Sequence, residues 1–344
     1  MYNVYDFTLE KLEKLLVEQY GQKKYRATQL FIWLYEKKAK SFDEMTDVAV
    51  SFREVLKRDF TVTLPTIDTK QVASDGTIKL LLKMSDDAKV ETVLMKYDFG
   101  NSICVSSQVG CNMGCAFCAS GLLKKSRDLT PGEMLGQILV MESLMEGERV
   151  SHVVVMGTGE PFDNYDNVMD FIRIINNPKS LAIGARHITV STCGLADKIV
   201  QYSKEGLQIN LAISLHASNN DIRNRLMKIN KAYPLEDLMV AIKQYEKNAN
   251  RRVTFEYILL DGINDSVKHA EELAALIKGT TNYVNLIPYN SVEENEFKRS
   301  SRENVRKFCD RLKSLGVNVT IRKEFGIDID AACGQLRAKR EGAI

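Results

Sequence analysis

From residue 100 onward the chain alternates short apolar runs with amphipathic helical stretches, and this alternation limits its possible folds more than any other feature. Runs at 103–106, 152–156, 187–191, 209–214, 253–259, 283–287 and 317–321 read as strands. Helical spacing of apolar residues fills 132–146, 235–247, 267–277 and 303–315. Strands that alternate with helices pair in parallel, since parallel neighbours need a long crossover between them. Six or so such units close partly into a (β/α)6 barrel, whose chemical groups sit at the C-terminal ends of the strands. Gly159 and Glu160, Ser191, Ser214 with Leu215 and His216, and Asn290 all fall at such ends.

The segment before the barrel follows other patterns. Leu9, Leu12, Leu15 and Leu16 recur at helical spacing, Leu30, Ile32, Trp33 and Leu34 less regularly, and Phe52, Val55 and Leu56 mark a third stretch. Residues 1–62 therefore read as a helical domain. Alternating segments at 79–84 and 90–96, with turn signals at Asp75-Gly76 and Asp86-Asp87, make 63–101 a small antiparallel β-meander. The expected fold is α/β: a partial barrel over 102–336, preceded by these two segments and followed by a basic tail, 337–344.

Charge does not choose a partner. Lys and Arg number 47 against 45 Asp and Glu, a net charge of +2 that still allows a local basic patch for RNA. The N-terminus carries charges throughout, and no apolar run approaches the ~20 residues of a membrane span. A cytoplasmic protein without a membrane partner is expected.

Three cysteines in eight residues, Cys111, Cys115 and Cys118, are the strongest chemical signal. A cubane iron–sulfur cluster normally takes four thiolates, so three leave one iron open to another ligand. Structural zinc sites favour paired C-x-x-C spacings and four protein ligands, whereas one such spacing occurs here and no histidine stands nearby. Cys104 as a fourth ligand would instead close the site for zinc or for plain electron transfer. Seven cysteines in 344 residues are too sparse for a disulfide framework.

The C-x-x-x-C-x-x-C spacing with Phe117 before its last cysteine, followed by a strand ending in Gly159-Glu160, resembles the radical S-adenosylmethionine superfamily. Gly326-Ile-Asp-Ile-Asp-Ala-Ala-Cys333-Gly-Gln-Leu, with Cys104-Val-Ser-Ser-Gln upstream, is similar to its RNA-methylating RlmN/Cfr family, over nearly the whole chain. The resemblance implies a 4Fe-4S cluster on Cys111, Cys115 and Cys118. It also implies a cofactor site at Gly159, Glu160, Ser191, Ser214, Leu215, His216 and Asn290, and a 5′-deoxyadenosyl radical as the working oxidant.

Further roles follow from the same resemblance. Cys333 takes a methyl group from one S-adenosylmethionine, and a second yields the radical that activates it, so two are used per turnover. The carbon then adds to adenine C2, tethering RNA to protein. Cys104 resolves the tether and leaves a disulfide, while Glu91 accepts the C2 proton. The implied substrates are 23S rRNA near the peptidyl transferase centre and tRNA at the adenosine 3′ of the anticodon. The implied electron donor is a flavodoxin or ferredoxin, and the implied state is a monomer. The rival within the family methylates adenine C8. Pro161 argues for the C2 branch, whereas Phe325-Gly-Ile is closer to the C8 branch. A metal-containing RNA-binding protein without catalysis is the rival outside it.

Taken singly, these residues have plainer readings. Cys333 or Cys104 could be a buried apolar thiol, Glu91 a surface charge, and His216 a hydrogen-bonded structural histidine. Cys309 shares a helical stripe with Val305, Phe308 and Leu312 and is expected in the core, and Cys193 receives no role. Lys23, Lys24 and Arg26, then Lys124, Lys125 and Arg127, then Arg337, Lys339 and Arg340 are three basic groups that could meet phosphates or be ordinary solvated faces.

Overall fold

The computed structural model describes residues 1–122, 124–290, 296–329 and 336. Cys333 and the basic group Arg337, Lys339 and Arg340 lie outside them. The N-terminal layer holds three helices, α1 (Leu9–Tyr20), α2 (Tyr25–Phe31) and α3 (Val50–Asp59). The Thr8 hydroxyl accepts from the Lys11 N–H to start α1, and Gly21 in the left-handed region stops it. Directly after α2, Ile32–Glu36 winds as a π-helix, so the Lys37 N–H bonds the Ile32 carbonyl five residues back. That wider turn explains why the apolar spacing around Trp33 departs from 3.6 residues.

A parallel pair, β1 (Tyr2–Asn3) with β2 (Phe60–Thr61), ties the two ends of this layer together. The layer then docks on the barrel. Asp6 accepts from the Gly132 N–H at 2.9 Å, and a Cβ on Gly132 would stand 2.7 Å from that carboxylate. The contact needs glycine.

One ten-stranded sheet organises the rest. Its antiparallel part is β3 (Thr66–Val72), β4 (Ile78–Lys83), β5 (Lys89–Tyr97) and β6 (Gly100–Cys104). A small ladder, β7 (Gln108–Val109) with β8 (Arg127–Asp128), closes the base of the cysteine loop. The sheet continues in parallel from β6 through β9 (Val150–Val155), β10 (Ile188–Thr192), β11 (Asn210–Ser214), β12 (Val253–Leu259) and β13 (Asn282–Pro288) to β14 (Val319–Ile321). The expected meander thus shares the barrel's sheet, because β5 pairs with β6.

The crossovers are α4 (Pro131–Glu142), α5 (Tyr165–Asn176), α6 (Ala196–Tyr202), the pair α7 (Asn220–Leu226) and α8 (Leu235–Ala249), α9 (Val267–Leu276) and α10 (Arg302–Ser314). Six strand–helix units and a final strand form an open, partial barrel. Its hydrophobic core lies between the sheet and the helices and includes Cys309, as expected. Among the described residues no helix is long and apolar enough to cross a membrane.

Candidate active site

Two faces of one sheet separate packing from chemistry. On β4 and β5, Leu80, Leu82, Val90 and Leu94 point into the helix-covered core. Side chains alternate along a strand, so Lys79, Leu81, Glu91, Val93 and Met95 share the opposite face. There Val93 and Met95 pack with Cys104, whose strand pairs it directly opposite Val93. Glu91 is one alternation further along, and at 4% exposure it is not a surface charge. The wholly buried Lys79 ammonium stands 2.9 Å from its carboxylate. Sequence reading missed this partner, since a lysine among leucines carries no signal until strand register places it beside Glu91.

The cysteine loop leaves β7, returns through β8 and packs against α7. Within it the Cys118 N–H donates to the Cys115 carbonyl at 3.2 Å, and the Ala116 N–H donates to Leu226 at the end of α7 at 2.9 Å. Burial raises the pKa of the Cys111 thiol to about 11 and that of Cys115 further still; the neighbouring thiols add to both shifts. Thiols crowded on one loop need positive charge to ionise together, and iron would supply it. Soft thiolates on one loop are a suitable donor set for an iron–sulfur cluster. Among the described residues no three His, Cys, Asp or Glu side chains gather round a single metal-sized point.

Glu160, after β9, is buried. One carboxylate oxygen accepts from the Phe162 N–H at 3.0 Å and the other from the Cys193 N–H at 2.8 Å. Burial raises its pKa and these hydrogen bonds oppose the rise. The Thr192 hydroxyl and the Cys193 thiol also hydrogen-bond this carboxylate and oppose the rise. Beside it Gly159 has φ +113°, and a Cβ there would lie 2.7 Å from Gln108 and Ser107. Both the backbone conformation and the close approach demand glycine.

Ser191 and Ser214, on adjacent strands, have hydroxyls 3.4 Å apart. Leu215 is fully buried behind them. His216 accepts from the Ile258 N–H through Nδ1, so its proton sits on Nε2. Burial, then the charge of Arg223, lowers its pKa to about 3. Its ring meets Phe117 edge-on at 4.9 Å, which fixes the cysteine loop against the end of β11. These contacts hold a neutral, hydrogen-bonded ring at the end of β11.

A cavity of about 250 Å³ opens at the strand ends. Phe117, Cys118, Asn290, Val93, Met95 and Phe325 are among its walls. It therefore joins the cysteine loop, the end of β13 and the face carrying Cys104. Glu91, Gly159, Ser191 and Ser214 are not among its described walls.

The basic groups fare unequally. Lys125 is paired with Asp128 and Asp163, and Arg127 with Asp86 and Glu133. These two brace the loop, and of the second group only Lys124 remains exposed without a described ion pair. Lys23 and Lys24 are exposed, while Arg26 bonds Gln29 and lies over Tyr25.

Residues 105–277 match the model of the Radical SAM superfamily, and residues 2–62 that of the ribosomal RNA large subunit methyltransferase N-terminal domain. A relative from Listeria welshimeri, named a probable dual-specificity RNA methyltransferase RlmN, is 55% identical over 98% of this chain and 94% of its own. One of the same name from Streptococcus pyogenes is 54% identical over 98% and 96%. This chain belongs to the RlmN family. A radical SAM methyltransferase from Sphaerobacter thermophilus, 42% identical, has the same fold, with a TM-score of 0.91 over 97% of this chain and 99% of that one. As a radical SAM family member, the chain uses S-adenosylmethionine and a 4Fe-4S cluster.

Proposed function

We propose that this member of the RlmN family methylates C2 of a specific adenosine in 23S rRNA, near the peptidyl transferase centre, and of the adenosine 3′ of the anticodon in tRNA. The observation that carries the reading is the enclosed sheet face where buried Glu91 and buried Cys104 lie one alternation apart, beside a cavity that reaches Cys118. Methylating a ring carbon that bears hydrogen needs both an acceptor for its proton and a way to release the product.

Cys111, Cys115 and Cys118 hold the cluster. Gly159, Glu160, Ser191, Ser214, Leu215, His216 and Asn290 line the cofactor's place, with Glu160 offering its carboxylate charge to a cationic amine. When bound, the two groups supply one-electron chemistry that makes an unactivated C–H bond reactive. The chain's residues do the rest. Cys333 carries the methyl group, which a thiolate acquires by displacement. Lys79 holds the Glu91 carboxylate on the inner face, where it takes the C2 proton. The Cys104 thiolate, its proton lost to solvent, then attacks the Cys333 sulfur: an S–S bond forms, the S–CH2 bond breaks, and carbon leaves with that electron pair and takes a proton from solvent to become the methyl group. Each turnover uses two S-adenosylmethionine molecules and ends with a disulfide to be reduced.

The chain works as a monomer served by a flavodoxin or ferredoxin. The target adenosine must leave its stack to reach an enclosed site, which costs least for a loop nucleotide. Two variants test this scheme. Cys104→Ala is expected to accumulate RNA covalently bound to protein, seen as a shifted band under denaturing conditions. Cys333→Ala is expected to yield neither adduct nor product, and activity in that variant would refute the carrier.

A further inference from the structure

Arg223 is the largest fully buried side chain among the described residues, with 0% exposure. Among the described residues its guanidinium donates to uncharged oxygens: the carbonyls of Cys193 at 2.7 Å, Leu215 at 3.3 Å, Tyr233 at 3.4 Å and Ser214 at 3.5 Å, and Oδ1 of Asn230 at 2.9 Å. No described carboxylate forms an ion pair with it. A buried cation without a counter-charge is among the most costly arrangements a fold can hold.

The place of this charge is informative. Arg223 sits on α7, the helix whose final carbonyl, Leu226, receives the Ala116 N–H of the cysteine loop. Cys193, whose carbonyl accepts from the guanidinium, lies in the buried cluster that also holds Leu226 and against which Cys115 and Phe117 pack. Burial lowers the Arg223 pKa to about 10, which still leaves it charged at neutral pH. The chain thus fixes a cation beside the loop of three cysteines, and no carboxylate among the described residues forms an ion pair with it.

We infer that Arg223 is the internal counter-charge of the iron–sulfur cluster, holding up its reduction potential by stabilising the extra negative charge of the reduced form. This rests on the reading that Cys111, Cys115 and Cys118 carry that cluster. Three thiolates around an iron–sulfide core make an anionic assembly, and one-electron reduction adds another negative charge. A fixed cation in a low-dielectric setting favours the more negative state, and net charge is one of the protein's levers on cluster potential. Five hydrogen bonds to carbonyl-type oxygens keep the guanidinium in place without neutralising it. Arg223 is in this sense a positioning and tuning residue.

The test uses anaerobically reconstituted full-length protein: wild type, Arg223→Lys, Arg223→Gln and Asn230→Asp. Iron content is measured first, then the midpoint potential in a titration followed by electron paramagnetic resonance. Arg223→Gln removes the charge. Asn230→Asp keeps Arg223 and brings a carboxylate to its Nη1, so it tests the charge even if Arg223→Gln fails to fold. Both are expected to lower the reduction equilibrium constant at least tenfold, a shift of 59 mV for one electron, while Arg223→Lys stays within threefold of wild type. Asn230→Asp at full iron content with an unchanged potential would overturn the proposal. A wild-type protein that binds no iron would instead overturn the cluster reading beneath it.

Discussion

Lys79 and Arg223 are both fully buried cations, and the chain treats them in opposite ways. On the meander side, Lys79 meets Glu91 at 2.9 Å, so charge is balanced within the protein. On the cysteine-loop side, Arg223 meets carbonyl-type oxygens and no carboxylate among the described residues. On the proposed scheme, the first arrangement fixes a carboxylate for chemistry, and the second leaves a positive charge for the cluster. Stability at the first place should therefore be indifferent to cluster loading, and at the second it should depend on it.

The largest expected effect tests the balanced side. Lys79→Met strands a buried carboxylate without its ion pair and should cost ~3–5 kcal/mol in urea unfolding. Adding Glu91→Leu should restore much of that loss, since an apolar pair avoids burying charge. The Lys79→Met cost should be the same with and without cluster, whereas that of Arg223→Gln should grow on loading. Equal dependence at both places would break the contrast.

Gly159→Ala comes next. Forcing a Cβ to 2.7 Å from Gln108 at φ +113° should cost ~1–3 kcal/mol and weaken S-adenosylmethionine binding, read by calorimetry. A silent substitution would mean that the end of β9 is more yielding than its packing suggests.

His216 gives a pH signature on the cysteine-loop side. Its folded pKa is lowered from 6.5 to about 3, so below pH 6.5 the unfolded chain binds a proton that the folded one does not. Its stabilising contribution is full above pH 6.5 and falls as pH drops through the window to about 3. The loss is ~2 kcal/mol between pH 6.5 and 5. Glu160 and Glu256, raised by burial, work in the opposite direction. The comparison is thus with His216→Asn, which should lack this component.

The smallest effects concern RNA. Lys24→Ala should reduce the salt dependence of RNA binding by about one charge, while Lys125→Ala, already paired with Asp128 and Asp163, should leave it unchanged.

Much of this arrangement was legible in the sequence where periodicity is long and spacing is local. The seven parallel strands and four of their helices follow from apolar pattern, and the cysteine loop from its spacing. Short helices were not: α6 and α7 have seven residues each, under two turns, too few for periodicity to register. The π-helical turn at Ile32–Glu36 blurred its own helix by breaking the period. Lys79 and Arg223 were invisible for another reason. A buried cation is defined by what surrounds it, and strand register and loop docking bring together neighbours that lie far apart in the chain. Lys125 and Arg127 show the converse, since a basic run promises a phosphate surface until Asp86, Asp128, Glu133 and Asp163 fold onto it.

The central claim remains the position of the methyl group. Anaerobic enzyme, reductant and S-adenosylmethionine are incubated with unmodified 23S rRNA and tRNA, and the digested nucleosides are separated against both methyladenosine standards. The account expects 2-methyladenosine from both RNAs, with 8-methyladenosine absent. Finding 8-methyladenosine alone would contradict it.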